Sequence, residues 1–113
     1  MPRLLPERIT KPRRAKEGRS CPSHRAWVRR HRCSVPGCEQ GPIECAHVRS
    51  RTDGGMALKP SDRWAISLCC SHHAEQHRIG ESAFAAAHGL DLHALAESFA
   101  RLSPHFRALR GAG

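Results

Sequence analysis

The sequence predicts a small α+β domain with a helix–strand–strand–helix order, stabilised by a metal ion rather than by a large hydrophobic core. The chain has 113 residues, which suits one domain. Only 4% of the residues are aromatic and none is tyrosine, so the core is expected to be thin. The chain also has six cysteines and nine histidines, which are potential metal ligands. Small domains with thin cores often depend on disulfides or on a metal.

The cysteines favour metal binding over disulfide formation. The N-terminal 20 residues lack the apolar stretch of a secretion signal, and no segment approaches the length of a membrane-spanning helix. We therefore expect a cytoplasmic protein with no membrane partner, in which structural disulfides would be rare. Cysteines that cluster with histidines in a reducing compartment are typical of metal ligands.

The formal net charge of +9 is concentrated near the N-terminus. Residues 1–32 carry eleven Lys or Arg residues against two Glu residues, whereas the basic and acidic residues of 33–113 balance. Residues 1–20 contain three prolines and little to bury, so we expect a disordered basic arm. Such an arm favours a polyanionic partner such as nucleic acid, with a solubilising leader as the alternative.

Residues 21–113 are predicted to form one domain whose ββα core spans about residues 33–80. The predicted elements are a short helix at 21–32, strands at 42–50 and 63–69 around a loop at 51–62, and a helix from about 71 to 80. Alternation along the first strand places Ile43, Cys45 and His47 on one of its faces.

Further helices are predicted over residues 81–110. Gly89 suits the end of the first of them, and Asp91 suits the cap of the second. Four apolar residues recur at helical spacing and are predicted to pack against the core: Leu92, Leu95, Phe99 and Leu102.

Two pairs of potential zinc ligands bracket the predicted strands. A Pro-Gly turn joins Cys33 to Cys38, and Cys69 and His72 are separated by two residues at a strand-to-helix junction. Tetrahedral zinc sites are usually built from two such pairs. We expect a structural Zn²⁺ on these four residues, with Cys70 as an alternative to Cys69. The competing interpretation is buried core cysteines without a metal.

The same helix is predicted to carry a second metal site. His73 and His77 are four residues apart and so share one helix face, the spacing at which two helical histidines bind one metal. His72 lies about 100° around the helix, where it can face the cysteines. A ββα unit would place His47 opposite the histidine pair. The alternative is two solvent-exposed histidines.

Together these motifs resemble the HNH nucleases of the ββα-metal (His-Me finger) superfamily, in particular a zinc-stapled group from phages and prophages. The resemblance covers about residues 21–90 and is carried by CSVPGC, ECAHVRS, DGG and KPSDRWAISLCCSHHAEQH. It implies an endonuclease that hydrolyses phosphodiester bonds of duplex or branched DNA, acting alone or as a homodimer. Its implied cofactors are a structural Zn²⁺ and a catalytic Mg²⁺ or other divalent metal.

The resemblance also implies roles for individual residues. His47 corresponds to the general base, and His73 and His77 correspond to ligands of the catalytic metal. The structural zinc positions are matched by Cys33, Cys38, Cys69 and His72. Asp62 is a candidate for orienting the His47 ring, with a turn or capping role as the alternative. Phosphate contacts are candidates at five basic residues, for which an ordinary solvated charge is the alternative: Arg29, Arg30, Arg49, Arg51 and Lys59.

Two positions depart from the pattern of this family. Ala46 stands where many members carry a third metal ligand, and Glu44, on the same strand face, is a candidate replacement. Trp64 stands near the place of the usual Asn. The rival hypotheses are therefore a catalytically inactive, zinc-stabilised nucleic-acid-binding module and a structural zinc protein that acts through protein partners.

Deleting residues 1–19 tests the role of the basic arm. If the arm binds phosphates, the deletion should weaken DNA binding and reduce the slope of log affinity against log salt by about 0.9 for each phosphate that the arm neutralises. Fluorescence anisotropy over a range of salt concentrations measures both quantities. An unchanged slope would mean that the arm is only a leader.

Overall fold

The computed structural model describes residues 20–49 and 60–105, which form an α+β domain. Its elements, in chain order, are α1 (Pro22–Val28), β1 (Ile43–His47), β2 (Ala65–Cys69), α2 (Cys70–Ile79), α3 (Glu81–His88) and α4 (Leu92–Leu102). The predicted order of a helix, two strands and further helices is confirmed, and β1, β2 and α2 form a ββα unit. The predicted basic arm lies outside the described residues except for Ser20, as does most of the predicted loop.

The two strands form an antiparallel hairpin in which Ile43 pairs with Cys69 and His47 pairs with Ala65. Side chains alternate between the two faces of a strand, so Cys45 and His47 share one face of β1 while Glu44 and Ala46 share the other. In the described part of the chain this sheet has two strands, so one edge of β1 is not paired with a further strand.

Helices cover both faces of the hairpin. On the side of His47, the hydroxyl of Ser67 in β2 donates a hydrogen bond of 2.6 Å to the carbonyl of Arg32, just after α1. On the opposite face, the carboxylate of Glu44 contacts the ring of His73 in α2. The unpaired edge of β1 therefore lies between α1 and α2.

The hydrophobic core combines small side chains from the strands with residues of the C-terminal helices. Phe84 of α3 is the largest of its fully buried side chains. The other buried members of the cluster are Cys33, Val35, Ala46, Val48, Ile66, Leu68, Cys69, Leu92 and Ala96. Most of these residues are no larger than leucine, as the shortage of aromatic residues in the sequence suggests.

Helix α1 is held by a buried histidine and an aromatic contact. His24 is fully buried, and its Nδ1 lies 2.9 Å from the hydroxyl of Ser103 beyond α4. Burial lowers the pKa of His24 to about 4, so the ring is neutral near pH 7. Trp27 meets Phe99 of α4 edge to face, with ring centroids 6.0 Å apart. These contacts fix α1 against the C-terminal helix.

The predicted apolar stripe of α4 is wrong at its last member. Leu92 is buried and Leu95 and Phe99 pack partly against the core, but Leu102 is 72% exposed. The buried face of α4 instead follows the four-residue spacing of Leu92, Ala96 and Ala100, and Leu102 lies off that face. The helix ends at Leu102. Residues 103–105, which belong to the predicted helical segment 81–110, are therefore not helical.

None of the helices in the described ranges is long and apolar enough to span a membrane.

Substituting Phe84 with alanine tests the thin core. Removal of a fully buried phenylalanine should lower the free energy of unfolding by about 3–5 kcal/mol. The matched control is Leu102→Ala, which should change it by less than about 0.5 kcal/mol because that side chain is exposed. Urea denaturation followed by circular dichroism measures both variants. Equal destabilisation by the two substitutions would contradict the assignment of the core.

Candidate metal centre and adjoining cleft

Three cysteine sulfurs and one histidine nitrogen converge at the junction of β2 and α2. The ligand atoms of Cys33, Cys38, Cys69 and His72 all lie within 4.8 Å of one another. His72 Nδ1 is 3.4 Å from Cys33 Sγ and 3.3 Å from Cys69 Sγ, and the sulfurs of Cys38 and Cys69 are 3.9 Å apart. Ligands of a tetrahedral zinc are separated by about 3.8 Å for two sulfurs and about 3.6 Å for sulfur and nitrogen. The cluster can therefore hold a metal ion such as zinc.

Local backbone structure explains why these four residues meet. The amide of Cys38 donates a hydrogen bond of 3.0 Å to the carbonyl of Val35, closing a tight turn. Gly37 in this turn has φ of 81°, a conformation that favours glycine. Cys69 is both the last residue of β2 and the N-cap of α2, and its sulfur accepts a hydrogen bond from the His72 amide. The turn and the helix start thus present one pair of ligands each.

The start of α2 favours a thiolate at Cys69. Burial of this side chain opposes ionisation, but hydrogen bonds from the His72 amide, from Cys38 and Cys33 and from the Ser71 amide outweigh it and lower the pKa of Cys69. Burial raises the pKa of Cys33. Thiolates are the form that binds zinc, so the hydrogen bonds to Cys69 favour its metal-binding form.

The remaining cysteines do not join this cluster. All six cysteines of the chain are free thiols. Cys70, the alternative ligand, is exposed on α2 and lies outside the group of converging donors, whereas Cys69 is buried within it. Cys69 is thus the ligand that the fold supplies at this junction.

His72 also faces a carboxylate and a second histidine that the sequence did not reveal as partners. Ligand atoms of His72, Glu75 and His88 lie within 4.8 Å of one another. His88 Nε2 is 2.8 Å from a carboxylate oxygen of Glu75, and this hydrogen bond lowers the pKa of Glu75. Carboxylates beside a metal-ligating histidine commonly fix its orientation. The one available sequence signal was the three-residue spacing of His72 and Glu75.

A second group of polar residues lies around His47 at the end of β1. His47 Nε2 is 2.8 Å from one carboxylate oxygen of Asp62, whose side chain is 5% exposed. The other carboxylate oxygen accepts a hydrogen bond of 2.7 Å from the Cys21 amide and a further one from the Arg25 guanidinium. Asp62 therefore links the start of α1 to β1. Arg25 was not among the residues selected from the sequence, because its contact depends on the packing of α1.

These donors keep Asp62 ionised in spite of its burial. Burial raises the pKa, but hydrogen bonds from His47, Cys21 and Arg25 and the charge of Arg25 outweigh it and lower the pKa of Asp62 to about 2. The side chain is therefore a carboxylate at neutral pH. It can accept the Nε2–H of His47, which leaves the basic lone pair of the neutral ring on Nδ1.

His73 and His77 present two nitrogens toward each other. Their Nε2 atoms are 3.2 Å apart, and two nitrogens bound to one metal at about 2.0–2.1 Å are separated by about 2.9–3.4 Å. Glu44 lies 2.7 Å from His73 Nδ1, so its carboxylate can orient that ring. In the described residues no third Cys, His, Asp or Glu completes a converging group with this pair. Glu44, the candidate replacement for the third metal ligand, therefore contacts His73 but does not form a three-ligand site with His73 and His77.

The residues around His47 and the pair of His73 and His77 open onto one cleft along the unpaired edge of β1. The cleft has a volume of about 1010 Å³. Its walls come from α1, from β1 and the loop that follows it, and from α2 and α3. The lining residues are Arg25, Arg29, Glu44, Cys45, His47, Arg49, Pro60, His73, Gln76, His77, Gly80, Glu81 and Ser82. His47, His73 and His77 thus face a common solvent-accessible space.

The structure places the remaining sequence-selected residues in different surroundings. Arg29 and Arg49 line the cleft, and the Arg49 amide donates a hydrogen bond of 2.6 Å to the Glu81 carboxylate. Arg30 is exposed and lines a smaller neighbouring groove. Arg51 and Lys59 lie outside the described residues.

The two positions that depart from the HNH pattern contribute to packing. Ala46 is fully buried in the core, so its side chain does not reach the cleft. Trp64 packs partly against the core. The guanidinium carbon of Arg63 lies 4.3 Å from the centroid of the Trp64 ring, and the His93 ring is tilted against Trp64 with centroids 4.6 Å apart.

Comparison with known families places this chain in a defined group. A family model described as DUF968, a protein of unknown function, matches residues 7–103. The chain belongs to the DUF968 family. No curated protein and no solved structure matches it.

Cysteine substitutions test the metal centre of this DUF968 chain. Cys38→Ser and Cys69→Ser should each abolish tight metal binding and lower the melting temperature, because each removes one of four ligands. The matched control is Cys70→Ser, which should retain about one metal ion per chain. Elemental analysis by mass spectrometry and thermal unfolding measure the two effects. A full equivalent of metal in Cys38→Ser and Cys69→Ser would contradict the four-residue site.

Proposed function

We propose that this chain is a metal-dependent endonuclease of the HNH type that hydrolyses phosphodiester bonds of DNA. One observation carries the proposal: the His47–Asp62 pair and the His73–His77 pair open onto the same cleft. The proposal also draws on the resemblance of the motifs to HNH nucleases. Metal-assisted phosphodiester hydrolysis needs an activated water and positive charge near the phosphate, and these two pairs are suited to those tasks.

In this proposal His47 is the general base. Asp62 accepts the Nε2–H of the ring, so Nδ1 is the atom that takes a proton from the attacking water. The carboxylate then stabilises the positively charged ring that results. Arg25 and the Cys21 amide hold the carboxylate in place, so the ring has a defined orientation before the substrate binds.

His73 and His77 are the proposed ligands of the catalytic metal through their Nε2 atoms. The 3.2 Å separation of these atoms fits a shared metal, and the contact of Glu44 with His73 Nδ1 favours the tautomer that leaves Nε2 available. A divalent ion such as Mg²⁺ bound there would supply positive charge to the phosphate oxygens. Two protein ligands leave several positions for water and phosphate.

The Cys33, Cys38, Cys69 and His72 cluster is the proposed structural Zn²⁺ site. Three cysteines and one histidine form a closed set of four ligands with no position left for a substrate. The apparent free energy of such sites is about 10–16 kcal/mol, comparable with the total stability of an ordinary domain at about 5–15 kcal/mol. Zinc would thereby offset the thin core around Phe84.

Basic residues support DNA as the substrate. The formal charge of +9 favours a polyanion, and exposed arginines lie at the cleft and beside it. The proposed phosphate contacts are Arg29, Arg30, Arg49, Arg51 and Lys59. A cytoplasmic location belongs to the same proposal.

The alternative is a zinc-stabilised nucleic-acid-binding module without catalytic activity. Buried Ala46 and the lack of a third donor beside His73 and His77 in the described residues favour it. The alternative needs the basic surface and the zinc cluster, and in it the contacts of Asp62 with His47, Cys21 and Arg25 serve only to join α1 to β1.

A plasmid-nicking assay separates the two proposals. Wild-type protein with Mg²⁺, Mn²⁺ or Ni²⁺ should convert supercoiled plasmid to the open-circular form. His47→Ala should slow this reaction by about 10²–10⁴-fold because it removes the general base. His73→Ala should reduce the reaction by weakening metal binding.

The matched control is His93→Gln, because His93 stacks on Trp64 and does not line the cleft. It should nick plasmid at the wild-type rate. Circular dichroism and zinc content verify that every variant is folded. Wild-type protein that is inert on duplex, single-stranded and branched DNA with all three metals would contradict the nuclease and favour the binding module.

A further inference from the structure

One arginine of α1 lies next to the proposed general base. The guanidinium of Arg25 donates through Nη1 to Asp62, the same carboxylate that contacts His47 through its other oxygen. The side chain of Arg25 is 33% exposed and lines the cleft. A single buried carboxylate thus holds both the base and a cation at one end of the cleft.

The Asp62 contact leaves donor groups of Arg25 available to a ligand. A guanidinium carries five N–H groups in a planar fork, which suits two oxygens of a phosphate. Among the described residues only Nη1 of Arg25 makes a hydrogen bond, to Asp62 and to the Ser20 hydroxyl. Nε and Nη2 therefore remain able to bind an anion that enters the cleft beside His47.

A second arginine extends this cationic surface along the helix. Arg29 follows Arg25 by four residues, lies on the same side of α1 and lines the same cleft. It also lines the adjoining groove of about 390 Å³, together with Arg30 and Arg32. In the described residues no carboxylate forms an ion pair with Arg29, Arg30 or Arg32. Glu39 also lines this groove, so three arginines face one carboxylate there and the groove keeps a net positive charge.

The spacing of these arginines suits a strand of nucleic acid. Four residues of helix correspond to a rise of about 6 Å, while one DNA strand carries a phosphate for about every 3.4 Å of its axis. The rise thus lies between one and two phosphate steps, so flexible arginine side chains on successive turns can reach phosphates of one strand that are adjacent or one apart. A nucleic-acid strand bound in this way would follow a path from the groove beside α1, past Arg29, to Arg25 and His47.

We propose that α1 guides the substrate strand into the cleft, with Arg25 binding the scissile phosphate and Arg29 binding a neighbouring phosphate. This inference rests on the proposed nuclease function and names the residues that hold its substrate. Arg25 adds hydrogen-bond donors for a phosphate at a site where Ala46 supplies no metal ligand. Arg29 contributes to affinity but does not touch the reacting atoms.

DNA binding without cleavage tests the path independently of the enzymatic activity. The probe is a fluorescent DNA duplex of 20 base pairs in buffer without added divalent metal, bound to full-length, zinc-loaded protein carrying His47→Ala. Adding Arg29→Gln should weaken binding and reduce the slope of log affinity against log salt by about 0.9, the value for one neutralised phosphate. The control is Arg101→Gln, an exposed arginine of α4 that lines neither the cleft nor the groove beside α1, and it should leave the slope unchanged.

Cleavage kinetics in an otherwise wild-type background test the position of Arg25. Arg25→Lys retains the charge and can still pair with Asp62, but it removes the planar fork. It should lower kcat by about 100-fold with little change in KM, whereas Arg29→Gln should raise KM with little change in kcat. A fall in kcat at Arg29 with none at Arg25 would overturn the assignment.

The outcomes distinguish this inference from the proposed function. If wild-type protein does not cleave DNA but Arg29→Gln flattens the salt dependence, the nuclease fails and the path of the strand holds, without Arg25 as a catalytic residue. If wild-type protein cleaves DNA and neither arginine variant alters binding or kinetics, the nuclease holds and the path is overturned. Tighter binding of an RNA duplex of the same sequence would overturn DNA as its occupant.

Discussion

The fold depends on the meeting of Cys33, Cys38, Cys69 and His72 where β2 becomes α2. A metal at this point would connect the turn before the hairpin to the start of the helix after it, so the two ends of the hairpin are joined at one place. Few other groups can do this, because the core contains Phe84 and otherwise mainly small aliphatic side chains. The same junction determines the direction and rotation of α2, and every histidine on that helix takes its orientation from it.

Helix α2 divides its histidines between two environments. His72 faces the sulfurs on one side and Glu75 and His88 on the other, while His73 and His77 face the cleft with Glu44 behind them. Adjacent residues on a helix differ by about 100° in direction, so this division follows once Cys69 is fixed as the N-cap. In the proposed function the structural metal therefore holds the ligands of the catalytic metal in position.

A buried carboxylate performs the corresponding task on the other side of the cleft. Asp62 receives hydrogen bonds from β1, from the start of α1 and from Arg25, and these donors outweigh the cost of its burial. The result is an oriented imidazole and an oriented guanidinium on the same carboxylate. A cleft with these groups on one wall and a histidine pair on the other is suited to an anionic ligand, and the charge of the chain agrees with that chemistry.

The sequence by itself determined the features that depend on local spacing. The ligand pairs around Cys33 and Cys69, the order of the ββα unit and the common helix face of His73 and His77 follow from turn residues and periodicity. Only the tertiary structure decided the long-range contacts that no ligand motif announces. Arg25 and Asp62 are 37 residues apart, and Glu44 and His73 are 29 apart, so no local pattern records either contact. Likewise, the apolar spacing of α4 includes Leu102, but the buried face of that helix leaves this residue in solvent. Periodicity tells which residues share a face, whereas packing decides what that face touches.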